Sequence, residues 1–228
     1  MVAKAMQPDP GLVVWGVGTS RTIRVHWALA ELGVAYETRP IGARTGETKT
    51  EAFTAITARQ KIPVLQHGDV CLTESLAIVA YLSDCFGTDH NRLLPADPLG
   101  RARCLEWCLF ALSELDATSL YVLRRHRDLA HIYGGAPDVC EAALGYFGQQ
   151  MRSLDRALGD GRPYVLGDAM SAADIVLSSC LTWARRYDAP MSGQVEAYNA
   201  RVTRRPQFVV ASARNAAPAP TAPSGAQR

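Results

Sequence analysis

The sequence predicts two domains of different class: an α/β N-terminal domain of order βαβ-ββα, then an all-α helical bundle. Three observations predict it. Short β-branched runs alternate with helical periodicity up to Gly87. The stretch 88–97, "TDHNRLLPAD", is rich in turn formers and breakers. After Pro98 strand signals almost vanish. The expected division is a lead-in at 1–10, an α/β domain at 11–87, a linker at 88–97, a helical domain at 98–212 and a disordered Ala/Pro/Ser-rich tail at 213–228.

The elements follow in order. "LVVWGV" (12–17) is a short apolar run bounded by glycines and reads as a buried strand. Val25, Ala28, Leu29 and Leu32 repeat at i, i+3, i+4, i+7, one helical face, with Ser20 placed to cap the helix and Gly33 to end it. "VAYETRPI" (34–41) restarts as a strand, and a short helix is expected over 51–56. "KIPVLQHGDVCL" reads as a hairpin turning at His67-Gly68-Asp69, and "ESLAIVAYLSDCFG" (74–87) as a helix stopped by Gly87. The first half implies a parallel pair with a right-handed crossover, the second an antiparallel hairpin with a helix on the sheet. Four helical patterns follow, beginning near Leu99, Asp138, Ser171 and Gly193, the last stopped by Pro206.

Composition narrows the function classes. With 48% hydrophobic and 20% charged residues among 228, a full core is available. A net charge of +2 gives no drive toward nucleic acid or an anionic membrane. No apolar run reaches the roughly 18 residues of a membrane span, and the N-terminus lacks a signal-peptide core. None of the six cysteines forms a C-x-x-C pair or stands with histidine at metal spacing, so no metal is expected. The thiols read as free, mostly buried fillers of a cytoplasmic protein.

Three local patterns carry chemistry. Pro63 interrupts an apolar strand. It is either a plain trans edge proline, or a cis turn that leaves the backbone of Ile62 facing outward to pair with an extended peptide ligand. Thr73-Glu74-Ser75 opens a helix. Ser75 either satisfies first-turn N–H groups, or binds a carboxylate there while Glu74 accepts from a ligand ammonium. "GVGTSRTIRVHW" (16–27) turns from strand to helix and sets Thr19 or Ser20 at a helix N-terminus. Either hydroxyl serves as a cap, or donates to a thiolate whose pKa the helix dipole also lowers.

Together, "GTSRTIRVHWALAELGVAYE", "KIPVL", "TESLAIVAYL" and "GDAMSAADIVLSSCL" resemble the cytosolic glutathione transferases, of a serine/threonine, bacterial-like type, over roughly residues 11–208. The resemblance implies a thioredoxin-like first domain and a helical second one. Ser171 and Asp174 would form a capping box there with a folding role, with Met170 and Ile175 at staple positions. It implies a glutathione site: the backbone of Ile62 before Pro63 for the cysteinyl part, Glu74 and Ser75 for the γ-glutamyl end, Lys49 and Lys61 for the glycine carboxylate, and Ser20 or Thr19 for the sulfur. The chain departs from the pattern at Thr57-Ala58, where the family often has Asn-Pro. No tyrosine stands early in the first strand region, and no cysteine at 19 or 20, which argues against tyrosine- and cysteine-type chemistry.

The implied activity is activation of glutathione, a co-substrate, for attack on a hydrophobic electrophile, with peroxide reduction as a side activity. The second substrate is expected between the domains, against Trp107, Phe110, Tyr121 and Arg124 on the long helix. A homodimer is the implied assembly. Two other functions fit the same residues: a non-catalytic glutathione-binding or ligand-carrier protein, and a glutathione-dependent isomerase.

Overall fold

The computed structural model describes residues 11–216; the lead-in expected at 1–10 and the part of the expected tail at 217–228 lie outside the described residues. The chain forms two compact units: residues 11–92 with 206–216, and residues 93–205.

In the first unit four strands form one mixed sheet of order β2-β1-β3-β4. They are β1 (Leu12–Val17), β2 (Glu37–Gly42), β3 (Val64–His67) and β4 (Val70–Thr73). β1 runs parallel to β2 and antiparallel to β3, and β3 pairs antiparallel with β4. Alternation along β1 divides its side chains. Leu12 and Val14 are buried on one face, while Trp15 turns to the other, where its ring lies 5.8 Å from that of Phe53. Phe53 belongs to α2 (Glu51–Ile56), capped by the Thr50 hydroxyl. Helices α1 (Thr22–Leu32) and α3 (Ser75–Phe86) pack on each other and on the sheet. Gly33, at φ 69°, ends α1 in the left-handed conformation that a β-carbon disfavours.

The second unit begins with α4 (Pro98–Phe110), capped by the Asp97 carboxylate on the Gly100 N–H at 2.7 Å. The helix continues in π geometry over Ala111–Leu120, regains one α turn at Tyr121–Leu123, and is π again over Arg124–Asp128. A short α5 (Ala130–Tyr133), then α6 (Pro137–Leu158), α7 (Ala172–Ala184) and α8 (Gly193–Thr203) complete it. Every residue of α7 except Thr182 is buried, which makes it the central helix. The expected capping box is present: Asp174 accepts from the Ser171 N–H and hydroxyl at 2.9 and 2.8 Å. Four cysteines are buried in this unit, whereas Cys71 and Cys85 of the first unit are exposed.

Two expected boundaries move. The linker 88–97 is divided: Leu93 and Leu94 are buried, and the Leu93 carbonyl accepts from the Ala172 N–H at 2.8 Å, so its second half is core of the helical unit. The helical domain expected to reach 212 stops at Arg205, because Pro206, which follows the end of α8 at Thr203 as expected, also opens a further helix. This is α9 (Pro206–Asn215), and it belongs to the first unit. A proline costs no hydrogen bond in a first helical turn. Phe208 then meets Trp27 of α1 edge-on at 4.6 Å, and Ala211, three residues on, is fully buried. Residues 213–215, expected in the tail, are the last turn of that helix.

Candidate active site

The turn from β1 to α1 is tied by a capping box built from two threonines. The Thr19 carbonyl accepts from the Ile23 N–H at 3.2 Å, which makes Thr19 the functional N-cap. Its hydroxyl accepts from the N–H groups of Thr22 and Arg21 at 3.0 and 3.2 Å. The Thr22 hydroxyl answers by accepting from the Thr19 N–H at 3.0 Å, and the two hydroxyl oxygens lie 3.0 Å apart. Ser20 follows the cap. Its half-buried hydroxyl makes no hydrogen bond among the described residues. Of the two hydroxyls expected as caps, Thr19 takes the role.

Next to this turn, the Ile62–Pro63 peptide is cis. Gly16 lies against it at φ 110°, and a Cβ there would stand 2.5 Å from the Cβ of Ile62. The Gly16 carbonyl is held from behind by His26, whose Nε2 lies 3.0 Å away. A carbonyl only accepts, so Nε2 carries the proton and Nδ1 accepts from the Tyr36 hydroxyl at 2.7 Å. Burial holds the His26 imidazole below its ordinary pKa; the Gly16 carbonyl opposes this and the charge of Arg214 adds to it. Ile62 precedes the first ladder residue of β3, and its N–H and C=O make no backbone hydrogen bond among the described residues.

At the third corner Glu74 sits at φ 68°, ψ 116°, just before α3. A non-glycine residue there carries about 1–3 kcal/mol of strain, which the surrounding structure must hold. Its carboxylate makes no cap bond and instead pairs with Arg59 at 2.5 Å, both side chains being mostly exposed. Ser75 is 6% exposed, and its hydroxyl oxygen lies 3.4 Å from Nη1 of Arg24, which is fully buried. A buried guanidinium thus stands behind a helix N-terminus with free N–H groups, and both favour an anion.

Lys49, in a 3-10 turn at Glu47–Lys49, and Lys61, one residue before Ile62, are exposed and make no ion pair among the described residues. Trp107, Phe110, Tyr121 and Arg124 all belong to the helical unit and are half-buried. The Trp107 and Phe110 rings meet edge-on at 5.5 Å. Nε of Arg124 is buried and has no hydrogen-bond partner among the described residues. No group of three or more His, Cys, Asp or Glu among the described residues is placed to hold a metal.

Comparison with known proteins gives the family of the chain. Residues 10–84 match the family model for the N-terminal domain of glutathione S-transferase, and residues 122–207 the model for its C-terminal domain. Glutathione S-transferase U19 of Arabidopsis thaliana is 30% identical over 166 residues, 73% of this chain and 69% of that one. The chain belongs to the glutathione S-transferase family. It is also 28% identical to the maleylacetoacetate isomerase of Mus musculus over 172 residues, 74% of this chain and 76% of the relative. A theta class glutathione S-transferase from the citrus canker pathogen Xanthomonas axonopodis pv. citri, solved with glutathione bound, superposes with a TM-score of 0.72 at 26% identity, covering 86% of this chain and 94% of that one.

In this glutathione S-transferase four residues at the candidate site are absent from the sequence expectations: Arg24, His26, Arg59 and Asn215. Arg24 and His26 were hidden because the apolar spacing of α1 marks only one face. The helix is in fact covered by α3 and also by α9, so every residue from Thr22 to Leu29 is buried. Two charged or ionisable side chains inside "TIRVHWAL" were the available signal. Asn215 gave none, because it is 196 residues from its partner Thr19.

Proposed function

We propose that this glutathione S-transferase binds glutathione along 62–75 and activates its thiol with the hydroxyl of Ser20 for attack on a hydrophobic electrophile. The observation that carries the reading is the β1–α1 turn, where the Thr19 hydroxyl accepts the cap N–H groups and the Ser20 hydroxyl is uncommitted at the first turn of α1. The cysteinyl backbone pairs with the open N–H and C=O of Ile62. The γ-glutamyl carboxylate takes the N-terminus of α3 and the Ser75 hydroxyl, and its ammonium takes Glu74. Lys49 and Lys61 meet the glycine carboxylate. Ser20 donates its O–H to the sulfur, and the positive end of α1 adds to the stabilisation of the thiolate. Each pKa unit so gained is worth about 1.4 kcal/mol. The thiolate forms the carbon–sulfur bond, the leaving group departs with its bonding pair, and the thiol proton passes to solvent.

Trp107, Phe110 and Tyr121 supply apolar surface to the electrophile, and Arg124 a cation suited to an anionic group on it. The assembly is a homodimer, and six free thiols suit a reducing compartment such as the cytoplasm. The test is retention on immobilised glutathione followed by turnover of a chloronitrobenzene. Ser20→Ala should remain on the column and lose most turnover. Thr19→Ala should instead lose stability through the cap, by about 1 kcal/mol. Retention without turnover by the unmodified chain over a panel of electrophiles would identify a carrier. A second reading, a glutathione-dependent isomerase, is favoured by the match to the mouse maleylacetoacetate isomerase. It predicts cis–trans isomerisation of an unsaturated diacid with glutathione regenerated.

A further inference from the structure

The stretch Arg124–Asp128 sets three arginines and a histidine against one carboxylate. Three of the four basic groups are accounted for. The Arg125 guanidinium lies 4.5 Å from the Tyr133 ring centre, and His126 Nδ1 lies 3.0 Å from the Gly134 carbonyl, so both are held by the chain that follows them. The Arg127 guanidinium lies 5.5 Å from the ring centre of Tyr187, in the 3-10 turn Arg185–Tyr187. Arg124 differs. It is half-buried, its Nε is out of solvent without a partner, and its guanidinium makes no hydrogen bond or ion pair among the described residues.

Taking a guanidinium partly out of water costs free energy that a counter-charge or hydrogen bonds must return. The two acids nearest in sequence do not return it. Asp128 accepts from the Tyr187 hydroxyl at 2.8 Å, and Asp116 is 2% exposed inside the bundle. The charge of Arg124 also acts on Tyr187, against which Arg127 lies, so two guanidiniums converge on one phenol. Burial first, then the Asp128 bond, push the Tyr187 pKa up to about 12, so the phenol stays neutral and offers neither arginine a negative charge. A guanidinium presents paired N–H groups that match the two oxygens of a carboxylate. We propose that the electrophile conjugated by this chain carries a carboxylate, and that Arg124, with Arg127 beside it at Tyr187, is the specificity-determining cation that receives it. This rests on the chain conjugating glutathione to an electrophile placed against Arg124, and not on which hydroxyl meets the sulfur. The apolar body of the molecule keeps the surface of Trp107, Phe110 and Tyr121.

The test compares a chloronitrobenzoate with its neutral carboxamide, using the full chain unmodified and as Arg124→Met, Arg124→Lys and Arg125→Ala. Each kcat/KM is divided by the uncatalysed rate with glutathione, which removes the difference in intrinsic reactivity. The unmodified chain should favour the carboxylate by about tenfold or more, the size of a charge-assisted pair. Arg124→Met should lose that preference while its carboxamide rate stays within about twofold, which also shows that the fold survives. Arg124→Lys should keep part of it, since lysine retains the charge and lacks the fork. Arg125→Ala removes an equal charge from a residue held by Tyr133 and should leave the preference intact. Carboxamide turnover without any preference for the carboxylate would overturn this inference and leave the transferase reading standing. So would a preference that survives Arg124→Met, or one lost equally in Arg125→Ala. Turnover of neither compound would overturn the transferase reading, and this inference with it.

Discussion

Gly16 lies directly beneath the side chain of Ile62, so closely that a Cβ on it would reach 2.5 Å from Ile62 Cβ and 2.9 Å from Ile62 Cγ2. The two residues come from the end of β1 and the turn before β3, and their contact sets how far the backbone of Ile62 stands from the Ser20 turn. Gly16→Ala combines a left-handed φ of 110° with this overlap. It should cost about 3 kcal/mol in denaturant unfolding. It should also weaken glutathione binding more than Gly18→Ala does, because a Cβ on Gly18 meets nothing within 4 Å. Equal binding losses in the two variants would separate Gly16 from the ligand site.

His26 makes the first unit sensitive to mild acid. Its imidazole is held neutral by burial, with Arg214 adding repulsion and only the Gly16 carbonyl favouring the charged form. The unfolded chain takes up a proton at its ordinary pKa near 6.5, before the folded chain does. Stability is therefore fully present above pH 6.5 and falls as pH drops through the window between that value and the lower folded pKa. One proton limits the slope to about 1.4 kcal/mol per pH unit. Tyr36, its hydrogen-bond partner, has its pKa raised by burial, so the same pair loses stability again as pH climbs past 10. Denaturant midpoints from pH 5 to 7 should show the acid slope in the unmodified chain and lose it in His26→Gln.

What the sequence disclosed and what it hid divide along one physical line. Local rules found β1, α2, the β3–β4 hairpin, Gly33 as a helix end and the Ser171–Asp174 box, because each is decided by residues within a few positions of one another. The same rules placed Ile62, Glu74 and Ser75 at the ends of one sheet. They did not separate Thr19 from Ser20, since both are good caps. The difference is the reciprocal bond of Thr19 with Thr22, and the tie of Thr22 to Asn215 across 193 positions. The second role of Pro206, as a helix start, is hidden for a related reason. A proline both stops one helix and opens the next, and only Phe208 meeting Trp27 decides the second.

Asp174 gives the helical unit a single point of failure. Its carboxylate is fully buried and accepts four hydrogen bonds: two from Ser171, one from the Val165 N–H at 2.9 Å and one from the Tyr198 hydroxyl at 2.7 Å. Asp174→Asn keeps the shape but offers one acceptor oxygen and turns an N–H₂ toward donors. The loss should be about 3 kcal/mol, that of a broken buried charged network. Tyr198→Phe removes one bond and should cost about 1.5 kcal/mol. Both should shift the urea midpoint without moving the thiol pKa of bound glutathione, because neither residue touches the Ser20 turn. A thiol pKa shift in Asp174→Asn would contradict a purely folding role.

Glu74 and Arg59 pair at 2.5 Å with both side chains more than half exposed. An exposed pair contributes at most about 1 kcal/mol to folding, so either substitution should leave unfolding nearly unchanged. Their effects on ligand binding should oppose each other. Glu74→Gln removes the charge proposed to meet the γ-glutamyl ammonium, a charge-assisted bond of about 1.5–3 kcal/mol. It should therefore weaken glutathione binding by about tenfold or more. Arg59→Ala removes a cation that competes with that ammonium for the same oxygens, and should tighten binding slightly, with the gain shrinking as salt is raised. Calorimetric titration of both variants with glutathione and with a glutathione analogue lacking the α-amino group checks the assignment. The analogue should bind the unmodified chain and Glu74→Gln alike. If Glu74→Gln weakens the analogue as much as glutathione, the carboxylate serves the fold of the α3 start rather than the ammonium.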